Sequence, residues 1–295
     1  MNAIVPSPVV DSSWRTQNVG ALLFAATDRC VRRKLEVLDA RGYGIISDAQ
    51  LALFLHLDLD GTRLTTLAER ARLSKQSMVE LIDKAAAAGL VERAADPTDR
   101  RAKIVRFTAA GRQALDALSS GIALVEEQVA DAVGPAFLQR MYDELGAYAA
   151  LTAGGRSANV GRLLALSARR FADETLRLMQ GHGYAQVTDV LLTLFRVLDL
   201  GGTRLTDLAA RAHVTKQSMR EAVDRAEALG LVARHADRHD RRAKVIAFTP
   251  EGRTMLEQAR LSLAAAEAKL AGECDPGFVA ELKAKLAAFC AAAER

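Results

Sequence analysis

The sequence predicts a mainly helical protein built from two copies of one domain. The first observation is a repeat: residues 61–112 and 202–253 are identical at 32 of 52 positions, at a constant offset of 141 residues and without a gap. The second is periodicity, because apolar residues recur at helical spacing in each copy except over two short stretches. A unit of this length is a domain rather than a solenoid repeat. We therefore predict domains at 19–151 and 160–295, an N-terminal segment at 1–18 and a linker at 152–159.

Composition limits the class of protein. The 295 residues are 50% hydrophobic and 26% charged, enough to fill about two domains. No apolar run approaches the roughly 20 residues of a transmembrane helix, and the N-terminus lacks a secretory signal, so we expect a cytoplasmic protein. The three cysteines have no cysteine at the equivalent positions of the other copy, which argues against disulfides or a structural metal. They are Cys30, Cys274 and Cys290.

Positive charge is concentrated rather than abundant. The net charge is +4 and the sequence pI about 9.1, which is only mildly basic for a nucleic-acid-binding protein. The same five residues, DRRAK, occur at 99–103 and at 240–244. The location of the charge is therefore more informative than its total.

Each copy begins with helices. In the first copy, a long amphipathic helix is predicted from residue 19 to about 41, where Gly42 and Gly44 interrupt it. Ser47 then caps a second helix that ends near Leu57. A turn at 60–61 precedes a pair of short helices, for which Thr65 and Ser74 are the predicted N-caps, and Gly89 ends the second of them.

A hairpin and two further helices complete the copy. Strands are predicted at 90–93 and 103–107, because the intervening residues 95–100 are rich in turn formers. Thr108 caps a long helix that runs to about residue 129, and a last helix follows at 136–151. The second copy places Pro250 at the first position of its long helix, where proline is favoured.

Two short helices followed by a basic hairpin form a winged helix-turn-helix. In this arrangement the second helix enters the major groove of DNA with its N-terminal residues nearest the bases, and the hairpin lies beside the backbone or the minor groove. Glutamine can bond adenine, lysine favours guanine or phosphate, and the helix N-terminus attracts phosphate. The predicted DNA-binding residues are Thr65, Ser74, Lys75, Gln76, Ser77, Arg100, Arg101, Lys103, Thr206, Thr215, Lys216, Gln217, Ser218, Arg220, Arg241, Arg242 and Lys244.

The succession LTTLAERARLSKQSM and then GLVERAADPTDRRAKIVRFTAAG resembles the MarR family of bacterial transcriptional regulators, and it occurs twice. The resemblance implies dimer-type packing through the first and last helices, here within one chain as a pseudo-dimer. It also implies that the wing arginines Arg101 and Arg242 enter the minor groove, oriented by Asp99 and Asp240. The alternative from the residues alone is an ion pair that stabilises a solvated turn.

Glu80 and Glu221 depart from the family pattern, because a carboxylate near phosphate is repulsive. One interpretation is that each accepts a hydrogen bond from a cytosine amine. The favoured alternative is an intrahelical ion pair, Glu80 with Lys84 and Glu221 with Arg225, at the stabilising i, i+4 spacing.

The two copies differ in charge. Val79 of the first corresponds to Arg220 of the second, and the wing residues Pro97 and Thr98 correspond to Arg238 and His239. The second copy is therefore the more basic. We predict a pseudo-palindromic operator with unequal half-sites, about one helical turn or roughly 34 Å apart.

The resemblance also implies a small aromatic or phenolic ligand that relieves repression. The candidate residues are Trp14, Tyr43, His56, His182 and Tyr184, with core packing as the alternative for each. Cys30 could sense oxidants, but its equivalent is Phe171, which favours a buried structural cysteine.

No enzyme motif or metal-binding spacing is present, so no catalytic residue, cofactor or metal is predicted. A winged-helix protein-interaction scaffold is the remaining alternative, which would lack a steep salt dependence of binding. We expect a repressor that binds double-stranded DNA, with no membrane partner, as a monomeric pseudo-dimer that could dimerise further.

Overall fold

The computed structural model describes residues 13–71, 73–97, 99, 102–150, 159–212, 214–237 and 244–292. The elements of the first copy are α1 (Trp14–Gln17), α2 (Val19–Ala40), α3 (Asp48–His56), β1 (Thr62–Arg63), α4 (Leu64–Ala71), α5 (Lys75–Ala87), β2 (Val91–Ala95), β3 (Lys103–Phe107), α6 (Ala109–Val133) and α7 (Pro135–Tyr148). Those of the second are α8 (Val160–Gly181), α9 (Asp189–Val197), β4 (Thr203–Arg204), α10 (Leu205–Arg211), α11 (Lys216–Ala228), β5 (Val232–Ala236), β6 (Lys244–Phe248), α12 (Pro250–Glu273) and α13 (Phe278–Ala291). The predicted fold class, mainly helical with a small wing in each copy, is confirmed.

Each copy has one small antiparallel sheet. The strand orders are β1-β3-β2 and β4-β6-β5. Val91 lies opposite Phe107 and Ala95 opposite Lys103, so β2 and β3 form the predicted hairpin. The outer strands β1 and β4 were not predicted. Each has only two residues, too few to show the alternation by which a strand is recognised in a sequence.

Most of the predicted caps are confirmed. The Thr108 and Thr249 hydroxyls accept hydrogen bonds from the Gly111 and Gly252 N–H groups at 3.0 Å, and both hydroxyls donate to the carbonyl that precedes the wing. A Cβ atom on Gly111 would lie 1.8 Å from the Leu90 carbonyl oxygen, so the start of α6 requires glycine there. Gly89 ends α5 with φ 70°, a conformation that glycine adopts readily.

The predicted N-cap at Thr65 is wrong. Helix α4 begins at Leu64, so Thr65 lies in its first turn and Arg63 precedes the helix. The reason is the unpredicted strand β1: Arg63 lies opposite Ile104 in the sheet, so its backbone stays extended until the helix begins. The chain passes directly from a strand into a helix, without a capping side chain from Thr65.

The described residues fall into two compact units, each with its own apolar core. One contains the described residues from 26 to 138 and from 159 to 162, and its core includes Leu53, Met78 and Phe107. The other contains the described residues from 13 to 25, from 139 to 150 and from 163 to 292, with a core that includes Leu194, Met219 and Phe248. No helix in the described part of the chain is both long and apolar enough to cross a bilayer.

Both units combine residues from the two copies. In the unit that contains most of the second copy, the Val19 N–H at the start of α2 donates to the Glu267 carboxylate of α12 at 3.1 Å. In the other unit, the equivalent Val160 N–H at the start of α8 donates to the Glu126 carboxylate of α6 at 3.0 Å. A carboxylate is favourable at a helix N-terminus. This reciprocal exchange agrees with the predicted pseudo-dimer.

Candidate nucleic-acid interface

Helix α5 presents a polar N-terminus to solvent. The Ser74 hydroxyl accepts a hydrogen bond from the Ser77 N–H at 3.0 Å, which confirms Ser74 as the N-cap. Lys75, Gln76 and Ser77 are exposed, whereas Met78 is fully buried. The apolar side of the helix therefore fixes its position in the core, and its first turn is left available to a partner.

Helix α11 repeats this arrangement in the second copy. The Thr215 hydroxyl accepts from the Ser218 N–H at 3.0 Å, and Lys216, Gln217 and Ser218 are exposed. Arg220 is exposed as well, whereas its equivalent Val79 is half-buried. The charge difference between the copies thus lies on the exposed side of the second helix. Thr65 and Thr206, in the first turns of α4 and α10, are also exposed.

The predicted i, i+4 ion pairs of α5 and α11 are wrong. Among the residues described, the ion pairs include neither Glu80–Lys84 nor Glu221–Arg225. Instead, the Glu221 carboxylate accepts a hydrogen bond from the Gln217 side-chain amide at 2.7 Å. Gln217 stands one turn before Glu221 and competes for the same carboxylate.

An ion pair fixes the second helix to the wing in both copies. Arg93 on β2 bonds Asp83 of α5 at 2.7 Å. The equivalent Arg234 on β5 bonds Asp224 of α11 at 2.5 Å and also contacts Glu227. Because the partners lie on different elements, these pairs connect the second helix to the hairpin in each copy.

A second repeated ion pair lies at the base of the wing. The Arg63 guanidinium of β1 donates to the Asp96 carboxylate at 2.7 Å, and Arg204 of β4 donates to Asp237 at 2.7 Å. Asp96 is buried, and its hydrogen bond raises the pKa of Arg63. Arg63 also approaches Asp99, with 3.7 Å between Nη2 and the carboxylate. Sequence analysis missed these residues, although an arginine and an aspartate recur at equivalent positions.

Three charged residues near the tips of the wings are exposed. Lys103 and Lys244, at the first positions of β3 and β6, are exposed, as is Asp99. The remaining predicted wing residues lie outside the described residues: Arg100, Arg101, Asp240, Arg241 and Arg242. Their roles in DNA binding and wing orientation remain predictions.

The five candidate ligand residues occupy different surroundings. Tyr43 and Tyr184 pack against the cores of the two units, as the alternative interpretation expected. His182 is exposed. His56 is half-buried, and desolvation lowers its pKa, as do Arg162 and Arg70. Trp14 is half-buried and lines a cavity.

This cavity lies within the unit that contains most of the second copy. Its volume is about 110 Å³, and its walls are predominantly apolar. The lining residues come from α1, α2, α8, α9 and α12 and include Trp14, Arg15, Phe24, Phe171, Phe195 and Arg196. Arg15 was not among the predicted site residues. The cavity brings Trp14 together with Arg15, but with none of the other four candidates.

Two helix pairs, each followed by an antiparallel hairpin, define a tandem winged helix-turn-helix protein. Residues 46–102 and 187–243 each match the profile of the MarR family. The segment that matches the MarR family thus occurs twice in this chain, once in each copy.

Solved structures provide further comparisons. CouR from Rhodococcus jostii RHA1 bound to p-coumaroyl-CoA is 25% identical over 38% of this chain and 78% of that chain, with a TM-score of 0.35. CouR bound to a 23-mer DNA duplex is 25% identical over 41% and 84%, with a TM-score of 0.34. YusO from Bacillus subtilis is 28% identical over 36% and 75%, with a TM-score of 0.30. A comparison with curated protein sequences gave no match.

Proposed function

We propose that this protein is a sequence-specific double-stranded DNA-binding transcriptional regulator that contacts an operator through α5 and α11. The observation that carries the proposal is the pair of exposed, capped helix N-termini with the same Lys-Gln-Ser sequence. Such a terminus places donors and acceptors at base edges while its backbone N–H groups attract phosphate. The chain carries two such helix N-termini, one for each half-site of a pseudo-palindromic operator.

The predicted difference between the half-sites is supported by the exposure of Arg220. A guanidinium on the outer side of α11 can bond guanine or a phosphate, which the half-buried Val79 of α5 cannot do. The covalent chain fixes which copy carries the arginine. A homodimer would place the same residue on both half-sites, whereas this chain can distinguish them.

Repression relieved by a small aromatic or phenolic ligand is the proposed regulation. The cavity beside Trp14 supports it, because predominantly apolar walls with a few polar groups are typical of small-molecule sites. The cavity is lined by α9, which packs against α11 in the same core. A ligand there can favour one position of the recognition helix over another.

The decisive experiment is selection of DNA from a random duplex pool with the purified chain, followed by binding titrations on the selected site. We expect an imperfect palindrome and an affinity that falls steeply with salt concentration. Gln76→Ala and Gln217→Ala should each relax base preference in one half-site. Arg260→Ala is the control, because it removes an exposed charge that pairs with Glu257 within α12 and belongs neither to α5 nor to α11.

Each result bears on a specific part of the proposal. Recovery of a perfectly symmetric site would contradict the unequal half-sites. A chain that selects no DNA, or that binds without salt dependence, would contradict DNA recognition and favour the protein-interaction scaffold. Equal loss of affinity in Arg260→Ala and Gln217→Ala would show that the contacts are nonspecific.

A further inference from the structure

The first turns of α5 and α11 have almost the same sequence but differ in one hydrogen bond. In α11 the Gln217 side-chain amide donates to the Glu221 carboxylate at 2.7 Å. Residues four apart lie on the same side of a helix, so these two side chains meet one turn apart. Gln76 and Glu80 of α5 have the same spacing, but no hydrogen bond joins their side chains in the part of the chain that the structure describes.

The Glu221 carboxylate is not occupied by a cation among the described residues. Arg234, which joins α11 to the wing, pairs with Asp224 and Glu227 instead. Gln217 and Glu221 are both exposed. Their hydrogen bond therefore lies on the surface that the proposed function places against DNA, and it does not contribute to the core.

The charge of Glu221 decides which end of the Gln217 amide faces it. An ionised carboxylate only accepts hydrogen bonds, so the NH2 group of the amide must face it and the carbonyl oxygen must point away. Reversal of the amide would place two oxygen acceptors against each other and break the bond. One N–H is thus used by the carboxylate, and the second N–H and the carbonyl oxygen remain for a partner.

These two remaining groups are the pair that reads adenine in the major groove. A glutamine accepts from the adenine N6 amine through its carbonyl oxygen and donates to N7 through one N–H. An amide already held in one orientation loses less conformational freedom on binding, and a base that requires the opposite orientation must first break the bond to Glu221. No described contact restrains Gln76 in this way, so its amide can turn to either orientation.

We propose that Glu221 is a positioning residue that fixes the Gln217 amide in the orientation that reads adenine. The proposal rests on the proposed function and deepens it by naming a residue that determines specificity without touching DNA. Its consequence is a difference in stringency between the half-sites. The half-site at α11 discriminates adenine from the other bases more strongly than the half-site at α5.

Two substitutions of Glu221 separate the hydrogen bond from the charge. Glu221→Gln keeps an oxygen acceptor in a side chain of the same shape, whereas Glu221→Met removes both the acceptor and the charge. The full chain and each variant are titrated with selected operators that carry each of the four bases at the position whose preference Gln217→Ala relaxes. We expect Glu221→Met to reduce the preference for adenine about threefold or more and Glu221→Gln to retain more of it. Equal preference in the two variants, whether retained or lost, would overturn the role of the hydrogen bond.

A double-mutant cycle tests whether Glu221 acts through Gln217. In the Gln217→Ala background, Glu221→Met should cause no further change in base preference. A change of the same size in both backgrounds would show that Glu221 contacts a base itself, as the cytosine-amine interpretation requires, and would overturn the positioning role.

Glu80→Met is the matched control, because it makes the same substitution at the equivalent position of α5. It should leave the base preference of its own half-site unchanged. An effect as large as that of Glu221→Met would contradict the difference between the two copies.

The Gln217 side-chain amide also reports the hydrogen bond without DNA. In heteronuclear NMR spectra of the full chain, its NH2 resonances are assigned by their loss in Gln217→Ala. We expect Glu221→Met to shift them more than Glu80→Met shifts those of Gln76, and equal shifts would overturn the bond. A chain that selects no DNA would reject the proposed function whatever the spectra show. A selective chain whose adenine preference survives Glu221→Met would reject the positioning role alone.

Discussion

Arg140 and Glu281 stand at equivalent positions of the two copies, 141 residues apart, and their side chains form an ion pair of 2.9 Å. Arg140 also lies over the Phe278 ring, 5.6 Å from its centroid. In a homodimer, two equivalent residues are identical, so two charged residues that met in this way would carry the same charge and repel each other. Duplication in one chain has allowed the position to diverge, so that α7 carries the cation and α13 the anion.

The same reversal occurs one turn further along these helices. Glu144 of α7 is equivalent to Lys285 of α13. The Glu144 carboxylate accepts from the Asp275 N–H at 3.3 Å, and Lys285 lies 3.9 Å from Glu281. The sign of the charge is thus reversed at two pairs of equivalent positions of these helices. This pattern favours pairing between unlike copies over pairing between like ones.

Reversing one charge should therefore destabilise the protein. We expect Arg140→Glu to lower the free energy of unfolding by about 1 kcal/mol, because it replaces a half-exposed attraction with a repulsion. Combining it with Glu281→Arg should restore most of the loss in urea denaturation. Arg260→Glu, which reverses one charge of an exposed pair within α12, is the control and should have a smaller effect. A double variant as unstable as the sum of its single variants would contradict pairing.

Local signals in the sequence predicted most of the fold. Ser74 and Gly89 bound α5 as expected, since caps and turns depend on neighbouring residues. The bond from Arg63 to Asp96 joins residues 33 positions apart, and no periodicity reports such a contact. Arg15 was missed because it lies before the first predicted domain, and its burial depends on residues about 180 positions later. Recurrence at a fixed offset predicts which residues correspond, but not what each one contacts.

The ion pair at the base of the wing should influence DNA binding more than folding. Asp237→Asn keeps the shape of the buried side chain but removes the charge that holds Arg204. We expect faster hydrogen exchange in β5 and β6 and an operator affinity reduced by up to about tenfold, equivalent to 1.4 kcal/mol. Asp96→Asn should do the same at the other half-site.

Glu92→Gln provides the control for the wing variants. Glu92 pairs with Arg106 across the first hairpin at 2.7 Å, but both side chains are half-exposed. Loss of the Glu92 charge should change neither the hydrogen exchange of the wing nor the operator affinity appreciably. An effect of Glu92→Gln as large as that of Asp96→Asn would show that wing charge in general, rather than the buried aspartate, is responsible.

Cys274 should be a poor nucleophile at neutral pH. Burial raises the pKa of its thiol to about 11, with further contributions from Glu144, Glu273 and Asp275. Relative to an ordinary value of 9.0, this lowers the thiolate fraction by about 100-fold, and the thiolate is the reactive form. Alkylation by iodoacetamide, followed by peptide mass spectrometry, should be slower than for free cysteine by about that factor. Glu144→Gln should accelerate it, and labelling of Cys274 at the rate of free cysteine would contradict the prediction.

Glu174 should make stability depend on acid pH. The Arg177 hydrogen bond, with further help from Lys269, lowers the pKa of this carboxyl from 4.5 to about 2. A carboxyl with a depressed pKa in the folded state contributes stability that is fully present above the unfolded value, near 4.5, and is lost as pH falls towards 2. Glu174→Gln should therefore flatten the thermal stability profile between pH 5 and about pH 2. Arg177→Gln should remove more of this dependence than Lys269→Gln, because the Arg177 bond is the largest contribution to the shift. An unchanged profile in Glu174→Gln would exclude this carboxyl as a source of acid sensitivity.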